Sequence, residues 1–356
     1  MGAGLIRFLW RWLRRAALAL LVLVLVLLAP VAWVETMCRP TLVPSAYPPI
    51  ITDPAQQRVE SQSLLTYPEW HIVHAYEEYA AVITKGDPQD FSYLKSVWGY
   101  WDSLCALSEA SGEHGGFPWE TKQMDYTIGV SFTLELGLKG LYEETIGRLF
   151  VMMRGPDPSP LDRMSAQMAA DYAAFLQQVP WYRWHFAEDA AALAKAATPV
   201  LRDRERAAAL GLEFRAKAAY AGVIAQAVAA TGKDELTIRS IVTGLDPAAL
   251  SAIEGVKVIA ERTEGTEIET PRYAAFTVIL LAIAKASGTL IEIAGNDDIM
   301  FTALSTEPWE QGEVFQIERQ GSGDYRHLMM VRVPDLAATL NGLSARGLVL
   351  EHVHDY

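Results

Sequence analysis

Between Thr66 and Ala80 the chain reads TYPEWHIVHAYEEYA, placing His71 and His74 three residues apart and Glu77 and Glu78 about one helical turn further on. If Pro68 opens a helix, these four side chains share one face. Imidazole and carboxylate at such spacing can hold a divalent transition metal, as in bundle sites built from Glu and Glu-x-x-His pairs. His71, His74, Glu77 and Glu78 are therefore the expected ligands of a metal-dependent enzyme or metal carrier. No Glu-x-x-His pair on another helical run completes that pattern. A polar stripe opposite an apolar side of Trp70, Ile72, Val73 and Tyr76 accounts for the same residues without any metal.

Two further segments crowd reactive side chains. In PWYRWHFAED, residues Trp181, Tyr182, Arg183, Trp184 and His185 combine the aromatic and arginine types that dominate binding hot spots, so they form a candidate docking surface. The alternative is a turn between helices whose rings fill the core. At the C-terminus, Glu351-His352-Val353-His354-Asp355-Tyr356 puts two imidazoles on one face of a strand, with His327 as a possible third ligand; a solvated terminus is the competing reading. Gly295-Asn296-Asp297-Asp298 reads as a turn, and acidic turns sometimes bind calcium. Gly-x-Ser-x-Gly, Walker, Rossmann, CxxCH and HExxH motifs are all missing from the sequence, which removes the easily read enzyme classes and c-type haem.

The segment TYPEWHIVHAYEEYA, together with GNDDIMFTALS at residues 295–305, resembles a group of bacterial membrane-anchored proteins. The resemblance covers only those two stretches and implies a membrane tether, with no activity attached.

The elements that would position these residues begin with an uncharged run, AALALLVLVLVLLAPVAWV at 16–34. It matches the ~20 apolar residues needed to cross a ~30 Å hydrocarbon core. Residues 1–15 hold Arg7, Arg11, Arg14 and Arg15, so the positive-inside rule keeps them in the cytoplasm and sends the bulk outward, to the periplasm of a bacterial inner membrane. A cleaved signal peptide is the rival, but Trp33 stands where small residues are needed. Those arginines supply +4 of a net charge of −13, so the rest carries −17, a surface that repels phosphate and argues against nucleic-acid partners. The two cysteines, Cys38 and Cys105, rule out a four-cysteine zinc site and leave one bridge or two thiols open.

Prolines 40, 44, 48, 49 and 54 predict an extended spacer over 35–60 that lifts the bulk off the membrane. Residues 61–248 read as a helical bundle of six or seven helices, broken at Gly86–Pro88, Gly112–Pro118, Gly155–Pro160, Pro180 and Pro199. The apolar run from Thr121 to Met153 is expected as a buried bundle helix, with Glu135, Lys139 and Glu143 forming an ion-pair stripe on one face. Residues 249–356 read as one ferredoxin-like β-α-β-β-α-β unit starting near Val256, and no internal repeat is evident. The expected class is thus α+β. The function that follows is a membrane-anchored accessory or assembly protein, in contact with the bilayer through 16–34 and with a membrane-protein partner. The metal-dependent reading centred on His71 is the alternative.

Overall fold

The computed structural model describes residues 2–43, 47–231, 236–309 and 312–355; Pro44 and Tyr356 lie outside them. An apolar run with no charged side has nothing to turn toward water. Accordingly α1 (Gly2–Met37) projects from the body, and its stretch Trp10–Met37 is long and apolar enough to cross a membrane. Only its C-terminal end packs: Val34 and Cys38 are buried, Glu35 accepts a hydrogen bond from the Tyr126 hydroxyl and pairs with Lys122 at 2.8 Å, and Cys38 is disulfide-bonded to Cys105. The open question of the two thiols is thereby closed in favour of the bridge.

The proline-rich segment does not act as a stand-off. Tyr47 donates to Glu292, as do the backbone amides of Ile50 and Ile51; Val43 N–H reaches the Gly112 carbonyl, and Arg58 N–H the Ala294 carbonyl. Proline prevents the segment from becoming helical, and its remaining donors find a fully buried carboxylate, so it straps the molecule together.

The helical part comprises α2 (Glu60–Leu64), α3 (Thr66–Lys85), α4 (Tyr93–Ala110), α5 (Trp119–Tyr142), a π-turn at Glu143–Gly147, α6 (Arg148–Arg154), α7 (Pro160–Leu176), α8 (Phe186–Ala196) and α9 (Leu201–Thr231). The breaks fall at the expected Gly and Pro clusters. Ser159 shows why α7 starts where it does: its hydroxyl and the Asp162 carboxylate cap each other's amides, with Pro160 in the first turn. α5 departs from the expected buried helix. Tyr126, Phe132 and Leu136 are buried, whereas Leu134, Leu138 and Leu141 face outward. Its charged stripe is paired across to α9, Glu135 with Lys217 at 2.7 Å, Lys139 with Glu213 at 3.1 Å and Glu143 with Arg206 at 2.8 Å, because α9 presents complementary charges at matching turns.

The C-terminal part runs β1 (Thr237–Thr243), α10 (Pro247–Ser251), β2 (Lys257–Arg262), β3 (Gly265–Pro271), α11 (Ala274–Lys285), β4 (Thr289–Ile293), β5 (Asp298–Ser305), β6 (Glu313–Glu318), β7 (Tyr325–Arg332), α12 (Val333–Gly342) and β8 (Val349–His354). These strands form two antiparallel sheets, ordered β2-β3-β1-β4 and β6-β7-β5-β8. This differs from the single unit expected from residue 256. β1 lies before the boundary placed at 248/249, yet it is an interior strand of the first sheet. The inward Glu267 breaks the apolar alternation that would mark β3 in the sequence; Arg239 and Arg262 neutralise that carboxylate at 3.0 and 2.6 Å. The repeat is one of strand order and leaves no trace as sequence similarity. α11, α12 and residues of both sheets, among them Phe276, Ile283, Phe301 and Val353, share one apolar core.

One buried acid in this frame has no hydrogen-bond partner among the described residues. Both carboxylate oxygens of Asp125 on α5 are orphaned, and burial, assisted by repulsion from Glu69, pushes its carboxyl up to about 8. The folded state therefore keeps a proton that the unfolded chain releases near pH 4, so stability falls as pH rises from about 4 to about 8. Asp125→Asn is expected to remove that decline and raise the Tm at pH 8 by several degrees, read from thermal melts between pH 4.5 and 8.5.

Candidate functional site

α3 carries the sequence's first candidate ligands and lies between α4 and the second sheet. Leu64, Tyr67 and Trp70 bury against Met300, Phe315 and Leu328, so the TYPEW turn is the apolar joint between the helical part and that sheet. The helix then sends its two histidines to different neighbours. His71 turns toward α4, where its Nε2–H donates to the Ser96 carbonyl at 2.8 Å, and Gly99 leaves the room: a Cβ there would lie 2.6 Å from the imidazole. Burial pushes His71 down to about 3, fixing it as a neutral ring. The expected four-residue ligand set is therefore split, because an offset of three residues turns His71 about 60° from His74, enough to reach a different layer.

His74, Glu77 and Glu78 turn toward β7 and β8 and meet Arg326. Its guanidinium is 1% exposed. Nε and one terminal nitrogen take both oxygens of Glu351 at 2.7 and 2.8 Å, the other terminal nitrogen donates to Glu78 at 2.9 Å, and Glu77 lies 3.6 Å away. Glu78 also accepts from the Gln320 backbone amide, and Gln177 donates to Glu77. Burial alone would raise the Glu351 carboxyl, yet His74, Arg326 and Arg319 outweigh it and hold it well below the ordinary carboxylate range. Glu77 is lowered for the same reason, chiefly through its bond from His74 against the pull of burial.

Glu351 reaches this cluster through a bulge. Thr302 pairs with His352 and Ala303 with Leu350, so Glu351 is the extra residue on β8 and its carboxylate is re-aimed to the α3 side. His352 and His354 do share a face, as strand alternation predicts. They line the α3 joint, not solvent: Trp70 stacks on His352 with ring centroids 3.7 Å apart, and Tyr67 meets His354 edge-on. Burial drives His352 down to about 3 and His354 well below its ordinary value. His327 is not their third partner. It stands opposite Ala303 on the other face of the sheet, 2.7 Å from the Ser305 hydroxyl.

What the cluster leaves for chemistry is a triad of donors. His74 Nδ1–H donates to Glu77 at 3.1 Å, while its Nε2, buried and without a hydrogen bond, faces Glu351 Oε2 at 3.9 Å. One donor atom from each of His74, Glu77 and Glu351 lies within 4.8 Å of the others.

The aromatic turn at 181–185 is not an open surface. Trp181, Tyr182 and Trp184 pack with Tyr172, Phe186 and Ala221, while Arg183 and His185 are exposed, His185 stacked on Trp184 and 3.7 Å from Asp189. Gly295–Asp298 is a turn in which Gly295 takes φ 84° and Asp297 is engaged by Arg332. Arg326 was missed in the sequence; the available signal was a lone arginine at an inward position of the apolar run YRHLMMV. Comparison with protein-family models, curated proteins and solved structures returns no match for this chain.

A buried guanidinium surrounded by carboxylates makes removal of either sign costly. Arg326→Met is expected to lose about 3–5 kcal/mol by urea unfolding, because Glu78 and Glu351 are then buried without a counter-charge. Adding Glu78→Gln and Glu351→Gln to that variant should recover much of the loss.

Proposed function

We propose that this chain is a membrane-anchored, extracytoplasmic accessory or assembly protein that works by binding another membrane component. The observation carrying this reading is the state of Arg326. Where the candidate ligands of the sequence converge, the carboxylates from α3 and β8 are spent on one structural arginine, and His71 is spent on a backbone carbonyl. Such an arrangement joins two layers firmly and leaves little free for a substrate. The Cys38–Cys105 bridge directly after the span supports export, since disulfides persist in oxidising compartments. The positive flank before the span supports the same orientation. Both sheet orders, with a helix entering the last strand, support a reading of two consecutive ferredoxin-like modules, a fold used widely for binding.

A second reading is favoured by one specific observation, the 3.9 Å gap between His74 Nε2 and Glu351 Oε2. That is too long for a hydrogen bond and close to the span of a cation about 2.0–2.2 Å from each. Arg326, bonded to the same carboxylate, opposes it.

Two measurements test these readings. Alkaline phosphatase fused after Tyr356 should be active in cells; inactivity there, with activity of a cytoplasmic reporter, overturns the orientation. The purified full chain should carry no stoichiometric transition metal. Near-stoichiometric metal that disappears in His74→Ala and in Glu351→Gln would instead establish the cation site and displace the assembly reading.

A further inference from the structure

We infer that the exposed apolar face of α4, α5 and α6 lies in the interfacial layer of the bilayer that α1 crosses, so the exported bulk rests on lipid. The inference depends on the membrane reading of α1 and extends it to the body of the protein.

The depth of this face follows from contacts on α1. Cys38 is bonded to Cys105, and Trp33 lies with its ring 5.2 Å from Trp98. Five residues back along α1 and seven back along α4 the two helices are still side by side. α4 therefore runs parallel to the end of the span, and its N-terminal turn points the way the span goes. α5 runs antiparallel to α4 in close contact: a Cβ at Gly129 would lie 2.4 Å from the Tyr100 ring, and one at Gly140 2.9 Å from Tyr93. Residues 134–141 of α5 thus lie beside the turn of α4 nearest the bilayer, with Leu94 about 6 Å beyond Trp98 at 1.5 Å per residue.

Large apolar side chains are exposed there. Leu94 (76%), Trp98, Leu134, Leu138, Leu141 (64%) and, past the π-turn, Leu149 all face outward. The exposed positions between 131 and 141 include no charge, because Glu135 and Lys139 are turned away to Lys217 and Glu213. The charges that border it are paired: Lys122 with Glu35 at one end, Lys95 with Glu318 beside Leu94, and Glu144 with Arg148 between Leu141 and Leu149. Leaving such leucines in water forgoes about 1.5–3 kcal/mol each, and a contiguous patch of this kind marks an interaction surface. Continuity with α1 assigns the occupant: Val31 and Val34 of the span pack in one apolar cluster with residues of α4 and α5, and Trp33 lies against Trp98 of this face. The Trp33–Trp98 pair then sits where indoles favour the membrane–water boundary.

The test uses the oxidised full chain, whose two native cysteines are bonded to each other. Leu138→Cys, Leu20→Cys within the span and Val349→Cys on β8 are each labelled with the fluorophore NBD. Each is reconstituted in phosphatidylcholine–phosphatidylglycerol vesicles with and without brominated acyl chains. At an interfacial depth of about 5–10 Å the Leu138 probe should be blue-shifted and lose roughly half its emission to brominated lipid, as the Leu20 probe does more strongly, while the Val349 probe is unaffected. A quenched Leu20 probe beside a Leu138 probe that behaves like Val349 overturns this inference and leaves the anchor standing. A blue-shifted Leu138 probe that bromine does not quench gives the face to a protein or a second copy, and overturns it as well. An unquenched Leu20 probe removes the anchor itself, and the inference with it.

Discussion

The Arg326 guanidinium is the constraint on which the joint between helices and sheets depends. A buried positive charge is tolerated only when its donors are matched, and here the match draws Glu78 and Glu77 from α3 and Glu351 from β8 onto one strand of the second sheet. The β8 bulge, the side of α3 that faces the sheet and the register of β7 must all agree for those bonds to form. The apolar contacts around Trp70 supply area, but area alone would tolerate a slip that the guanidinium fork does not.

A second buried carboxylate performs the same service at the other end of the C-terminal part. Glu292 on β4 takes three donors from the proline-rich segment, so the chain leaving α1 is stitched first to the helices through Cys38–Cys105 and then to the first sheet. With Glu35 held by Tyr126 and Lys122, the last turn of α1 is continuous with the body. A tether of this kind fixes the orientation of the bulk relative to α1, whereas a free linker would leave it to diffuse.

Within the helical part, the ion pairs between α5 and α9 explain how one helix can carry charges and still present an apolar outer face. Pairing Glu135, Lys139 and Glu143 inward removes the charges from the outer surface, and the remaining turns of α5 are left with leucine. The same sequence that argues against a second membrane span thereby yields a helix with one ionic and one apolar face.

Much of the architecture is legible in the sequence, because it depends on local chemistry. The uncharged run at 16–34 determines a helix long enough for a membrane, and the Gly and Pro clusters at 86–88, 112–118, 155–160, 180 and 199 determine where helices stop. The alternation around His352 and His354 determines that they share a face. What only the tertiary structure decided is partnership at long range. His71 and His74 fall on one broad side of a helical wheel, about 60° apart, and only the placement of the neighbours, α4 on one side and β8 on the other, turns that offset into separate partners. Arg326 and Glu78 are 248 residues apart, and no periodicity encodes their meeting. The doubled strand order is equally silent, since pairing follows from burial of whole faces and tolerates unrelated side chains, as the inward Glu267 of β3 illustrates.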